Sequence, residues 1–219
     1  MEISTSILNI KEENITETFY NIEAAKTDYF HIDVMDGKFV SNNTVDKMQQ
    51  YIDILSGITN TPIEVHLMVK DVKKYIDIFI PNNPTKIIFH AKALKNSEEV
   101  FKMIEYIKDN NIQVGLALNP EDSIDSIKEF ISKIHQVLVM TVNPGQGGQT
   151  LIPECIKKAQ ELKEYLDSQN LETQIEVDGG VNLQNIKEIA SSGVDIAVAG
   201  TAIVNAVDMN YVIYTMHQA

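Results

Sequence analysis

The chain has 219 residues, of which 44% are hydrophobic, and a formal net charge of −13. This length and composition are sufficient for one sizeable core, so we expect a single domain over residues 1–219. All 18 basic residues are lysines, and a chain this acidic is poorly suited to bind nucleic acid or an anionic membrane surface. Because arginine is absent, any phosphate should be held by backbone N–H groups and helix N-termini.

Cysteine usage and hydropathy indicate the compartment. The single cysteine, Cys155, cannot form an intramolecular disulfide, and its position at the start of a helical pattern favours packing over nucleophilic catalysis. The amino-terminal residues do not have the pattern of a signal peptide. No apolar run approaches the roughly 18 residues of a membrane-spanning helix. We therefore expect a cytoplasmic protein.

Short apolar runs alternate with longer amphipathic segments along the chain. The candidate strands are residues 2–8, 29–34, 62–67, 85–90, 113–118, 136–141, 174–178 and 195–199. Helical patterns include residues 97–110, 153–169 and 182–192, with capping candidates at Asp122 or Ser123 and at Asn182. Pro153 suits a first helical turn, and Gly193 suits the end of a helix.

The arrangement of these elements predicts the fold class. Several strand candidates are almost continuously apolar, which is typical of strands buried on both faces of a parallel sheet. About eight strand–helix units in one domain predict an α/β protein with a closed (β/α)₈ TIM barrel. A doubly wound open sheet is the alternative, disfavoured because no Gly-x-Gly-x-x-Gly follows the first strand.

Four candidate metal ligands lie at the ends of three predicted strands. His31 and Asp33 end the second strand, His66 the third, and Asp178 the seventh. If these strands are neighbours, two imidazoles and two carboxylates can hold a divalent metal and still serve in proton transfer. A structural hydrogen-bonding role is the alternative for each residue taken alone, although buried charges are costly unless paired or metal-bound.

Two further polar residues lie near these ligands. Asp36, in the segment Met35-Asp36-Gly37, is typical of a turn residue with a structural role. His90 ends the fourth strand and is a candidate auxiliary residue of the site. His135 and His217 show no pattern that indicates a role.

Glycines and methionines form two more candidate sets. Glycine-rich segments follow the sixth, seventh and eighth strands, at residues 143–149, 179–180 and 200–201. Loops at these positions of a barrel commonly bind phosphate, whereas the alternative is that each glycine serves only a tight turn. Met35, Met68 and Met140 would lie beside the ligands, where they either shield a reactive intermediate from water or simply fill the core.

Six segments together resemble one known family. They are residues 4–8, 31–37, 64–69, 139–149, 175–181 and 198–203, which include His31-Ile32-Asp33-Val34-Met35-Asp36-Gly37, Glu64-Val65-His66-Leu67-Met68 and Glu176-Val177-Asp178-Gly179-Gly180. In this order and over essentially the whole chain, they are similar to the ribulose-phosphate 3-epimerase family.

The resemblance implies a reaction and a set of site residues. It implies a TIM barrel that interconverts D-ribulose 5-phosphate and D-xylulose 5-phosphate, with Asp33 and Asp178 as the acid/base pair. It also implies one divalent metal ion, zinc or alternatively iron, cobalt or manganese, and a homo-oligomer. The implied metal ligands are His31, Asp33, His66 and Asp178. The implied substrate and phosphate contacts are Ser6, His66, Gly145, Gln146, Gly147, Gly148, Gly179, Gly180, Gly200 and Thr201.

The chain departs from the family pattern where the substrate should bind. The changes are the segment Ser4-Thr5-Ser6, residues 39–46 after the second strand, Lys92 after the fourth strand, and Gln146 in the loop after the sixth strand. The candidate metal ligands and acid/base residues are unaffected. A 3-epimerase of a ketohexose 6-phosphate, such as D-allulose 6-phosphate, is therefore an alternative. A more distant one is a non-catalytic barrel that binds sugar phosphates.

Overall fold

The computed structural model describes residues 1–219 and contains eight parallel strands. The strands are β1 (Glu2–Ser6), β2 (Tyr29–Met35), β3 (Ile63–Met68), β4 (Lys86–His90), β5 (Gln113–Leu118), β6 (Gln136–Met140), β7 (Gln174–Asp178) and β8 (Ile196–Ala199). Each strand pairs with the next, and β8 pairs with β1 to close the barrel. The predicted TIM barrel is confirmed.

Eight α-helices surround the barrel. They are α1 (Ile15–Ala24), α2 (Val45–Ile58), α3 (Val72–Phe79), α4 (Ser97–Asp109), α5 (Pro153–Gln169), α6 (Ile186–Ser191), α7 (Thr201–Val204) and α8 (Met209–His217). Side-chain caps begin some of them; for example, Asn96 accepts a hydrogen bond from the backbone N–H of Glu99 at the start of α4. None of the helices combines the length and the apolar character needed to cross a membrane.

Successive side chains of each strand point to opposite faces of the sheet, so the buried residues form two separate regions, one under the helices and one inside the barrel. Outward-facing residues such as Phe30, Ile32 and Val34 pack beneath the helices in a core cluster of 55 buried residues. Cys155 of α5 belongs to this cluster, so its predicted packing role is confirmed. A smaller apolar cluster, which includes Ile88 and Leu138 from the strands, is separate from this core.

Two capping predictions are confirmed, although the helices they begin are shorter than expected. Between β5 and β6 the chain forms short 3₁₀ helices, Ile124–Ser126 and Ile131–Lys133, and Ser123 caps the first of them by accepting a hydrogen bond from the N–H of Asp125. The backbone there makes i→i+3 hydrogen bonds, as from Phe130 N–H to the Ile127 carbonyl. The helix α6 begins at Ile186, later than predicted, but Asn182 caps the turn that leads into it: its side chain accepts from the N–H of Gln184 and its carbonyl accepts from the N–H of Ile186.

Candidate active site

The register of the barrel strands brings the four candidate metal ligands together. Asp33 of β2 lies opposite His66 of β3, and closure of the barrel brings Asp178 of β7 to the same end of the interior. One ligand atom from each of His31, Asp33, His66 and Asp178 lies within 4.8 Å of all the others. The sequence prediction that these residues meet at one point is confirmed.

The ligand atoms face one another around a small space. Oδ1 of Asp33 lies 3.4 Å from Nε2 of His31 and 3.3 Å from Nδ1 of His66. Oδ2 of Asp178 lies 4.0 Å and 3.9 Å from the same two nitrogens. Nε2 of His31 is buried and has no hydrogen-bond partner. Because imidazole nitrogens and carboxylate oxygens together suit several divalent metals, these four residues fit a divalent metal ion.

The two aspartates of this cluster have pKa values displaced in opposite directions. Burial alone would raise the pKa of Asp33, but His31 and His66 outweigh burial and hold that pKa well below its usual range. At Asp178, burial and then repulsion from Asp33 raise the pKa from 3.8 to about 7. The cluster therefore contains one carboxyl group that stays ionised and one that titrates near neutral pH.

Each histidine of the cluster has a second partner on its other ring nitrogen. Nδ1 of His31 lies 2.8 Å from Oε1 of Glu64, and Nε2 of His66 lies 2.9 Å from Nε2 of His90. Burial, and then the neighbouring His66, lower the pKa of His90 well below its usual range. His90 is therefore neutral, and the structure places this predicted auxiliary residue in contact with the site.

Glu64 was not among the sequence-predicted site residues. A signal was nevertheless present in the sequence, because a carboxylate two residues before His66 in an apolar strand must share the inward face of that strand. Glu64 and Glu176 are both completely buried inside the barrel. Burial and the proximity of Glu64 raise the pKa of Glu176 well above its usual range, so Glu176 is the neutral member of this pair.

Asp36 has a structural role at the end of β2. Its Oδ1 accepts hydrogen bonds from the N–H groups of Lys38 at 2.9 Å and Phe39 at 2.8 Å. Its Oδ2 accepts from the N–H of Lys70 at 2.8 Å, which ties the β2 loop to the β3 loop. The prediction of a turn residue is confirmed, and Asp36 is not part of the ligand cluster.

An open cleft lies above the ligand cluster, lined by 22 residues. Asp33 and Asp178 lie at its edge, whereas His31 and His66 are completely buried and do not line it. The predicted contacts that do line the cleft are Ser6, Met35, Met68, Met140, Gly145, Gln146, Gly147, Gly148, Gly179, Gly180, Gly200 and Thr201.

Two glycines of the cleft occupy positions that no larger residue could take unchanged. Gly180 has a φ of +70°, and a Cβ atom there would lie 2.4 Å from the backbone nitrogen of Leu151. A Cβ atom on Gly147 would lie 2.3 Å from Nδ2 of Asn9. Both glycines therefore line the cleft in loops that are tightly packed against their neighbours.

Parallel (β/α)₈ barrels carry their active sites at the carboxyl ends of the strands, and the ligand cluster and cleft place this protein in that class of enzyme. A family model described as the Ribulose-phosphate 3 epimerase family matches residues 2–204. The chain therefore belongs to the ribulose-phosphate 3-epimerase family, a family of isomerases.

Individual relatives support this membership. The chain is 38% identical over 214 residues to a ribulose-phosphate 3-epimerase of Escherichia coli (strain K12), covering 98% of this chain and 93% of that protein. It is 33% identical over 208 residues to one of Helicobacter pylori (strain J99), covering 95% and 93%. A crystal structure of 3-hexulose-6-phosphate synthase has a TM-score of 0.74 at 14% identity, covering 100% of this chain and 99% of that one, which shows a shared fold.

Proposed function

We propose that the protein is a metal-dependent 3-epimerase that interconverts D-ribulose 5-phosphate and D-xylulose 5-phosphate, a reaction of the pentose phosphate pathway. Family membership and the two relatives named ribulose-phosphate 3-epimerase support the reaction class. One observation carries the mechanism. Asp33 and Asp178 belong to one ligand cluster, and both carboxyl groups line the cleft from different strands of the barrel.

The chemistry of C3 epimerisation requires two proton-transfer groups. A proton next to the C2 carbonyl is removed, the sugar becomes a planar enediolate, and a proton is returned to the opposite face. Asp33 of β2 and Asp178 of β7 both line the cleft, so Asp33 would accept the first proton and Asp178 would supply the second. In the reverse reaction the two residues exchange roles.

We assign the divalent metal to His31, Asp33, His66 and Asp178, which supply two imidazole nitrogens and two carboxylates. Zinc is the proposed ion, with iron, cobalt or manganese as alternatives that the same ligands accept. When bound, the ion supplies positive charge that stabilises the negative charge developing on the sugar oxygens. The buried histidines hold their ring nitrogens in place, so the chain is already arranged around the cation.

The remaining cleft residues would bind the sugar phosphate and exclude water. The glycine-rich loops after β6, β7 and β8 would bind the phosphate through backbone N–H groups. Ser6 would contact the sugar, and its hydroxyl donates a hydrogen bond to Oδ2 of Asp33 at 2.8 Å. Met35, Met68 and Met140 are 1%, 2% and 2% exposed, and they would shield the enediolate from water.

A ketohexose 6-phosphate is the second candidate substrate, because two loops that depart from the family pattern contact each other. Nδ2 of Asn42 donates to the carbonyl of Gly145 at 2.5 Å, and a Cβ atom on Gly145 would lie 3.1 Å from Val40. Changes in the loop after β2 can therefore move the loop that we assign to the phosphate. A homo-oligomeric state and a cytoplasmic location remain predictions.

The test is an NMR assay of the purified, metal-supplied protein with D-ribulose 5-phosphate in D₂O. We expect D-xylulose 5-phosphate that carries deuterium at C3. If neither product nor exchange is seen, the pentose assignment is wrong, and D-allulose 6-phosphate is assayed next. If both sugars react, kcat/KM on each identifies the preferred substrate. A non-catalytic barrel would show no turnover on either sugar and no effect of a chelator.

A further inference from the structure

Below the ligand cluster, the barrel interior contains a second group of charged residues. Glu64 and Glu176 are completely buried, and Lys86 is 1% exposed. Ionised groups at such positions are costly unless they are paired and hydrogen-bonded. None of the three belongs to the four ligands or lines the cleft. Their contacts should therefore reveal another role.

Glu64 is surrounded by hydrogen-bond donors, a cation and the neutral carboxyl group of Glu176. Its Oε1 accepts from Oγ of Ser4 at 2.5 Å and faces Nδ1 of His31 at 2.8 Å. Its Oε2 lies 3.6 Å from Nζ of Lys86. An ionised carboxylate only accepts hydrogen bonds, so this environment suits Glu64 as an anion.

Lys86 is the buried cation that lies next to the Glu64 carboxylate. Its Nζ donates to Oε1 of Gln136 at 2.6 Å and lies 3.9 Å from the centre of the Tyr29 ring. Gln136 in turn donates through Nε2 to Oε2 of Glu176. Lys86 thus has no solvent contact and is held by an amide, an aromatic face and a carboxylate.

These contacts determine which nitrogen of His31 faces the metal site. If Nδ1 carries the proton that Glu64 accepts, Nε2 keeps a free lone pair in the neutral ring. Nε2 is the buried nitrogen without a hydrogen-bond partner, and it faces Asp33. His66 is turned the other way, because its Nδ1 faces Asp33 and its Nε2 faces His90.

We infer that Glu64 is a positioning residue that holds the Nδ1 proton of His31 and so presents Nε2 to the metal, with Lys86 as its buried counter-ion. This inference rests on the proposed metal site. Outer partners of metal-binding histidines fix the tautomer and ring orientation, and their loss typically weakens metal binding about 10- to 100-fold. Glu64 touches neither substrate nor metal in this role.

The first experiment identifies the tautomers directly. Protein labelled with ¹⁵N at histidine is studied by long-range ¹H–¹⁵N NMR after loading with zinc. We expect zinc on Nε2 of His31 with a proton on Nδ1, and zinc on Nδ1 of His66. Zinc on Nδ1 of His31 would overturn the inference. If the wild type binds no zinc, the proposed metal site itself fails, which is a different outcome from zinc on the wrong nitrogen of His31.

The second experiment measures zinc affinity by competition with a chromogenic chelator. Glu64→Met removes both oxygens and should weaken zinc binding about 10- to 100-fold, whereas Glu64→Gln keeps one acceptor and should lose less. Lys86→Met should weaken binding about tenfold. Asp195→Asn is the matched control, because Asp195 accepts from the N–H of Ile175 at 2.7 Å and makes no contact with His31. It should bind zinc like the wild type.

Two further readouts separate positioning from a general loss of structure. Circular dichroism and melting temperature establish that each variant is folded, and the Co²⁺-loaded absorption spectrum reports the ligand geometry. A folded Glu64→Met protein with wild-type zinc affinity and an unchanged His31 Nδ1 proton signal would refute the inference. If that variant does not fold, the tautomers of the wild-type protein decide the question.

Discussion

Replacing Asp178 with asparagine tests the two-base mechanism. The Asp178 carboxylate makes no hydrogen bond to the protein, and its Oδ2 lies 3.9 Å from a ring nitrogen of His66 and 4.0 Å from one of His31. Because burial and Asp33 raise its pKa to about 7, ionisation of Asp178 destabilises the metal-free fold. Stability is therefore lost as pH rises towards that value, and the neutral asparagine should be at least as stable as the wild type at pH 8.

The effect on turnover should be large even though the fold is retained. A positioned acid or base contributes about 100- to 10,000-fold, so kcat should fall by that factor, equivalent to about 3–5 kcal/mol of barrier. Asparagine has nearly the same shape as aspartate but cannot exchange a proton. The loss should therefore appear mainly in kcat, with a smaller change in KM.

Exchange in D₂O makes this prediction more specific. With Asp33 still present, one of the two pentose phosphates should exchange its C3 hydrogen with solvent without being epimerised. Asp33→Asn should show the same behaviour with the other epimer. The NMR assay detects both the deuterium at C3 and the product.

The control for this experiment is Asp195→Asn, because Asp195 lies outside the ligand cluster and an amide oxygen can still accept the hydrogen bond from the N–H of Ile175. Metal content is measured in every variant, since Asp178 is also a proposed ligand. An Asp178→Asn protein with wild-type turnover would refute the assignment. A variant that exchanges and epimerises at the same reduced rate would refute the two-base scheme.

Three further predictions concern stability, the phosphate loops and the metal. Asp36→Ala should lower the free energy of unfolding by about 3 kcal/mol in a urea titration, because three backbone N–H groups lose a charged acceptor. Burial would raise the pKa of Asp36, but its backbone hydrogen bonds outweigh burial and lower this pKa in the folded protein. The contribution of Asp36 to stability is therefore complete above pH 3.8, its ordinary pKa, and is lost as the pH falls through the folded pKa. Gly180→Ala should raise KM about tenfold, because the new Cβ atom would collide with Leu151. Removing metal with EDTA should reduce turnover at least about 100-fold, and zinc should restore it.

Each of these predictions has an outcome that contradicts it. An unchanged urea midpoint for Asp36→Ala at pH 7 would show that water replaces the lost acceptor. A Gly180→Ala protein with wild-type KM would indicate that the loop after β7 does not approach the phosphate. Full activity in EDTA, with no metal detected in the protein, would contradict a metal-dependent reaction.

Much of the site could be predicted from local sequence patterns. Polar residues such as His31, Asp33 and His66 stand out in apolar strands, because an ionisable group in a buried strand requires a partner. The alternation of strands and helices was enough to expect a closed barrel, which places strand ends together. Local exceptions, such as the missing α-helix between β5 and β6, arose where short-range hydrogen bonds competed with helix formation.

The partners of the ligands could not be predicted in the same way. In the sequence, Lys86 is only the first residue of a strand, and nothing local connects it with Glu64 or Gln136. That connection depends on the strand register, which pairs Glu64 with Lys86, and on closure of the barrel. A lysine at a strand start is ordinarily exposed, whereas here it is buried at the centre of the barrel.

The amino-acid sequence by itself determined the barrel, the four candidate ligands and the glycine loops, because the strand–helix alternation and the residue types at the strand ends can be read directly along the chain. Only the tertiary structure decided the difference in pKa between Asp33 and Asp178 and the opposite orientations of His31 and His66. The physical reason is that pKa and ring orientation depend on burial and on distances of a few ångströms between strands far apart in the chain.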